Sequence, residues 1–163
     1  MLDKIANQLI GLFFVFLLLT GCSASKQARS MKHTINGTWA IQTISFKGMN
    51  SRFKAFVFNE ADVNCFIGST WKFVANNSIG TYELSNAEGC TAVVRNIRWS
   101  VYEPQSEEKQ LQFKRLDNKK KSMDDNDGYR LTITSITETN MQLVSAVNFE
   151  GKQAAIVYNF VKK

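Results

Sequence analysis

The chemistry open to this chain is limited first by what it lacks, because its 163 residues contain one histidine, His33. Histidine is the side chain that most often moves protons or holds a metal near neutral pH, and the Ser-His-Asp and Cys-His arrangements need one inside the folded part. His33 stands in a polar stretch without further ligand-type residues, so it is expected neither to bind a metal nor to act as a base. Carboxylates are the remaining option. Glu103, Glu107, Glu108, Asp124, Asp125 and Asp127 fall in stretches that read as turns, where acidic residues are ordinarily solvated. Asp125-Asn126-Asp127-Gly128 has the composition of a calcium loop, yet an EF-hand register puts Met123 at the first ligand position and Thr134 at the last. The expectation is a non-enzyme, with no catalytic residue, no metal and no cofactor.

The cysteines carry more. A short leader with Lys4 precedes the apolar run Leu9 to Leu19, which has about half of the roughly 20 residues needed to cross a bilayer as a helix. It reads as a secretory signal over residues 1–21. Leu19-Thr20-Gly21-Cys22 resembles the lipobox of bacterial lipoproteins, and the resemblance implies that Cys22 is lipidated on sulfur, exposed by cleavage and acylated on its new amino terminus. Several acyl chains on one residue hold a domain stably, since each buried methylene adds about 0.8 kcal/mol. Ser23 stands where an aspartate marks inner-membrane retention in some bacteria, so the expected address is the cell envelope, with the outer membrane favoured. Residues 22–35 are polar and show no apolar period, so they are expected to be a tether. With Cys22 set aside, Cys65 and Cys90 form an even pair in an oxidising compartment, and a disulfide is the default.

The net charge of +6 is carried entirely by the part after the signal, because Asp3 and Lys4 cancel. Lys119-Lys120-Lys121 is followed at once by Asp124-Asp125-Asn126-Asp127, which reads as a solvated loop of mixed sign. No aromatic and basic RNA-binding motif and no recognition-helix pattern is present, so no nucleic-acid partner is expected.

These side chains must be positioned by elements of period two. With 44% hydrophobic residues and 12 Phe, the chain is too apolar to stay disordered. Gly37 to Phe46 switches parity midway, as a strand with a bulge does. Residues 53–67 fit either a short strand or a helical turn. Thr70 to Ala75 and Ile79 to Leu84 flank Asn76-Asn77-Ser78 as a hairpin, and Thr91 to Tyr102 is a long strand with Arg95 interrupting its apolar parity. Lys109 to Leu116, Tyr129 to Thr134, Met141 to Phe149 and Gln153 to Val161 follow, the last three as a meander. No amphipathic helix of three turns is expected. The sum is an all-β domain over residues 36–163, an eight- or nine-stranded antiparallel up-and-down barrel whose closure removes exposed edges, with a β-sandwich as the alternative.

Gly37-Thr38-Trp39 resembles the Gly-x-Trp opening of lipocalins. Cys65-Phe66-Ile67-Gly68-Ser69-Thr70-Trp71, Gly80-Thr81-Tyr82, Ile97-Arg98-Trp99 and Tyr158-Asn159-Phe160-Val161 are similar to lipocalin-like lipoproteins of Gram-negative gut bacteria, over roughly residues 36–163. The chain lacks that family's Thr-Asp-Tyr turn and an obvious closing arginine after the last strand. The resemblance implies that Trp39 plugs the closed end and that the barrel holds one small apolar or amphipathic ligand. Trp39, Trp71, Phe73, Tyr82 and Trp99 are the candidate cavity residues, each also a good core residue, and Arg98 or Arg130 would pair with a ligand carboxylate if turned inward. The alternative is an envelope interaction module, an inhibitor or adaptor with a filled core that binds another protein through its loops. A large cavity would favour the first, a packed interior the second.

Overall fold

The computed structural model describes residues 25–48, 55–105, 108–125, 127–149 and 151–163. The segment 1–21 expected to be a signal, Cys22 and Phe53 lie outside the described residues. An α-helix, α1 (Lys26–Ile35), leads into β1 (Gly37–Lys47), and a hairpin of β2 (Phe56–Val57) and β3 (Ala61–Asp62) is followed by a 3-10 helix (Val63–Phe66). Seven strands complete the chain: β4 (Thr70–Val74), β5 (Ile79–Leu84), β6 (Val93–Tyr102), β7 (Gln110–Leu116), β8 (Tyr129–Ile136), β9 (Asn140–Phe149) and β10 (Lys152–Lys162). Residues 53–67 were open between strand and helical turn from sequence, and the described part, from residue 55, contains both.

Eight strands close in the order β1-β10-β9-β8-β7-β6-β5-β4, every pairing antiparallel, so the protein is an all-β up-and-down barrel and not a sandwich. Closure depends on β1. Its N-terminal residues pair with β4, as in Trp39 opposite Trp71, and it runs along β10 as far as Lys47, with a register shift between Ile41 and Thr43. That shift is the expected bulge, and it re-aims the strand so that one element serves both edges. Alternation does the rest: Leu111 and Phe113 in β7, Leu131 and Ile133 in β8, Met141 and Leu143 in β9, and Ile156, Tyr158 and Phe160 in β10 are buried, with more accessible residues between most of them. Gly80 has to be glycine, because a Cβ there would stand 2.3 Å from the Lys72 carbonyl oxygen of the paired strand β4.

Helix α1 corrects the expected tether over residues 26–35, and its ten residues stop short of the three turns that were not expected. Its only buried side chains are Ala28 and Ile35, seven residues apart, and a stripe so sparse is invisible as periodicity. The helix is held by tertiary contacts with β6 and β8. Ser25 caps it, accepting from the Ala28 N–H at 3.1 Å, and donates its own N–H to Glu103 at 3.0 Å. At the other end the Trp39 indole donates to the Ile35 carbonyl at 2.7 Å, and Lys162 stands 5.2 Å over the Trp39 ring while its ammonium reaches the Thr34 carbonyl. Trp39 is thus the floor of the helix-capped end, and a lysine of the last strand covers it.

Candidate functional site: the plugged barrel mouth

The end opposite α1 is where the long β1–β4 connection returns, and it returns into the barrel. Between β2 and β3 the chain turns through Phe58 and Asn59, both in the left-handed region at φ 55° and 47°. A bulky aromatic there is strained, and burial offsets the cost. The Phe58 ring contacts Phe66, Phe113, Tyr129 and Tyr158 at centroid distances of 5.1 to 5.7 Å, with Trp71 at 6.2 Å. The following 3-10 helix, begun by Asp62 accepting from the Asn64 N–H at 3.0 Å, buries Val63, Cys65 and Phe66. Its exit is stitched to the β1 bulge, since the Gly68 N–H donates to the Ile41 carbonyl at 2.8 Å. Residues 55–69 form a plug.

Two devices lock the plug. Cys65 and Cys90 are joined in a disulfide, as expected, which ties the plug to the β5–β6 loop across 25 residues of sequence. The second is ionic and was not foreseen. Glu60 accepts from Arg95 at 2.6 and 2.9 Å, from the Tyr82 hydroxyl at 2.7 Å and from Arg115 at 3.2 Å. Arg115 donates also to the Asn59 carbonyl at 2.8 Å and, with two nitrogens, to Asp124. The side chains of Glu60, Arg115 and Asp124 are 8%, 8% and 6% exposed. Burial alone would push the Glu60 carboxyl up, but the hydrogen bonds from Arg95 and Tyr82 prevail and hold it below the usual carboxylate range. The Arg115 hydrogen bonds hold Asp124 down in the same way. Burial pushes the Tyr82 phenol far up and that of Tyr129 to about 12. Two cations face two anions, so the cluster is balanced and its carboxylates are saturated by guanidinium donors. Asp124 is therefore no solvated turn residue.

The five candidate cavity residues come together as core. Trp39, Trp71, Phe73, Tyr82 and Trp99 are each at most 1% exposed. Trp71 stacks on Tyr82 at 4.8 Å and on Phe73 at 6.1 Å, and Phe73 meets Trp99 at 5.1 Å. The three indole N–H groups are taken by Ile35, Ser69 and Ile79. These rings fill the barrel where an open cavity was considered. Arg98 and Arg130 lie on the outer wall and are exposed, so neither turns inward; the inward cations are Arg95 and Arg115, which share parity with Val93 and Ile97 and with Leu111 and Phe113. The sequence signal was there: a cation on an apolar face needs a buried anion, although nothing local names Glu60.

One of the clefts the plug leaves open, of about 320 Å³, is lined by Phe56, Val57 and Phe58 and by Tyr129, Ser145, Val147, Ile156 and Tyr158 of the wall, with Gly128 and Arg130 at its β8 edge. Phe56 is 71% exposed at its rim, while Tyr158 is 1% exposed and its buried hydroxyl, like that of Tyr129, has no hydrogen-bond partner among the described residues. Burial pushes the Tyr158 phenol well up, so it is a neutral donor.

No protein-family model and no curated protein sequence matches the chain. Among solved structures it is similar to an odorant-binding protein from bovine nasal mucosa, with 11% identity and a TM-score of 0.37, over 88% of this chain and 77% of that one. Likeness at that level establishes no shared ligand, and the barrel stands on its own strand pairing.

Proposed function

We propose that the protein is a lipid-anchored envelope barrel that binds a small amphipathic molecule at its plugged mouth. The apolar part of the ligand lies against Phe56, Val57 and Ile156, and an acceptor on it meets the Tyr158 hydroxyl. The observation that carries this reading is that hydroxyl, since a buried polar group without a partner costs stability and calls for an explanation. An exposed phenylalanine at the rim of the same cleft adds apolar surface that a ligand would cover. The cleft sits at the small end of the range for ligand sites, about 300–1,000 Å³, so the ligand is short or leaves part of itself outside. The anchor rests on the lipobox at Cys22.

The test is native mass spectrometry of the mature protein taken from its own membranes, compared with its denatured mass. A stoichiometric adduct lost on denaturation, and weakened in Tyr158→Phe, supports the site. A bare wild-type protein that takes up no apolar fluorescent probe overturns it. The filled interior favours a second reading, an interaction module that binds another envelope protein. A bare barrel that crosslinks in intact cells to one partner selects that reading.

A further inference from the structure

We propose that the outer wall of β6, β7 and β8, together with helix α1, is a docking face for an anionic phospholipid surface; the inference rests on the Cys22 anchor of the preceding section. The wall carries a groove of about 830 Å³ lined by Arg98, Lys114 and Arg130 with Ser100 and Gln112 between them, and by one acid, Asp127. The three cations come from adjacent strands, since Arg98 is opposite Lys114 and Gln112 is opposite Arg130. None forms an ion pair among the described residues, although four other basic and acidic pairs do. Arg130 lies flat over the Tyr102 ring at 4.2 Å, which holds its guanidinium in place without neutralising it.

Helix α1 extends the same field. It contains Lys26, Arg29 and Lys32 and no acid, with Lys26 and Arg29 exposed. Lys32 bonds Ser78, a residue of the groove, at 2.7 Å, so the helix and groove are continuous. The start of the helix fixes the orientation. Ser25 is bonded to Glu103, the neighbour of Tyr102, and Cys22 is three residues away, a reach of about 11 Å at most. An anchor so short cannot let the barrel rotate freely, and the surface it brings to the bilayer is the one around Ser25, Tyr102 and Arg130. Phospholipid phosphates supply the charge that the groove lacks, and Gly128, Tyr129 and Arg130, which line both the groove and the mouth cleft, place that cleft beside the docking face.

The experiment is hydrogen exchange on the full-length anchored protein in vesicles of phosphatidylethanolamine, with and without one third phosphatidylglycerol. The expected result is slower exchange in α1, β6 and β8 in the anionic vesicles only, abolished by high salt. Each cation near an anionic surface contributes roughly fivefold, so R98Q/K114Q/R130Q lowers the ratio of docked to undocked protein by about 100-fold. Unchanged exchange in the plug shows that this variant is folded. Equal protection in both vesicle types, or protection at 117–125 and 151–152 instead, overturns the docking face. The intact mass of the same sample separates the two claims: a mass without acyl chains on Cys22 overturns the anchor, whereas an acylated protein with no lipid-dependent protection overturns the face alone.

Discussion

Arg95 Nε lies 2.6 Å from Glu60 Oε2, and this contact joins the barrel wall to the plug that fills its mouth. The same carboxylate takes Tyr82 from β5 and Arg115 from β7, so one side chain of the plug ties together three strands of the barrel. The latch is therefore only as strong as its carboxylates are charged.

Replacing Glu60 with Gln leaves Arg115 facing a neutral amide in a buried site. The expected loss is about 3 kcal/mol, at the low end for breaking a buried pair because Arg115 keeps Asp124 and Arg95 is partly solvated. Urea denaturation of the two proteins measures it, and a difference below half that size would mean the network adds little.

The pH dependence follows from the direction of the shifts. Glu60 and Asp124 have folded-state pKa values below their unfolded ones, so their contribution is complete above the ordinary carboxylate range near pH 4 and is lost as pH falls through the folded values. Stability is expected to be level from neutral pH down to about 5 and to fall steeply below about 4. The fall should be shallower in Glu60→Gln, and equal slopes would remove Glu60 from the account.

Reducing Cys65–Cys90 frees a closed loop spanning 25 residues of sequence. In the chain-entropy picture that costs about 3 kcal/mol. Cys65→Ser/Cys90→Ser should show that loss and faster hydrogen exchange in residues 55–69, with β8 to β10 unaffected in native conditions.

Phe58→Ala removes the ring at the centre of the aromatic cluster. A loss of about 3–5 kcal/mol is expected. The vacated space joins the cleft at the mouth, so the variant should bind an apolar fluorescent dye more tightly than wild type. Unchanged dye binding would show that the wall collapses onto the gap.

Ser25→Ala takes away a helix cap and a bond to Glu103 together. The cap is worth about 1 kcal/mol. Trypsin should cut after Lys26 and Arg29 faster in the variant while the barrel stays folded, and an unchanged rate would mean that Ile35 and Trp39 hold the helix alone.

The barrel was legible because its signals are local. Period-two alternation in β6 to β10, the bulge in β1 and the turn residues of the β4–β5 hairpin each show within a dozen positions, and a face that must be buried sets its own register. The cysteine pair was legible by arithmetic, since two cysteines remain once Cys22 is set aside. The helix was not, because Ala28 and Ile35 become a buried face only when β6 and β8 are present to cover them.

What the sequence determined by itself is the all-β class, the cysteine pair and the identity of the aromatic residues that make the core. Whether those aromatics line a cavity or fill it was decided by tertiary structure, because the answer depends on where residues 55–69 go. Glu60 and Arg115 are 55 residues apart, and although Arg115 also holds Asp124 nine residues on, nothing near either of them names the other, so their pairing appears only after the chain has closed. Pairwise burial is a property of two distant segments at once, and no window along the chain contains it.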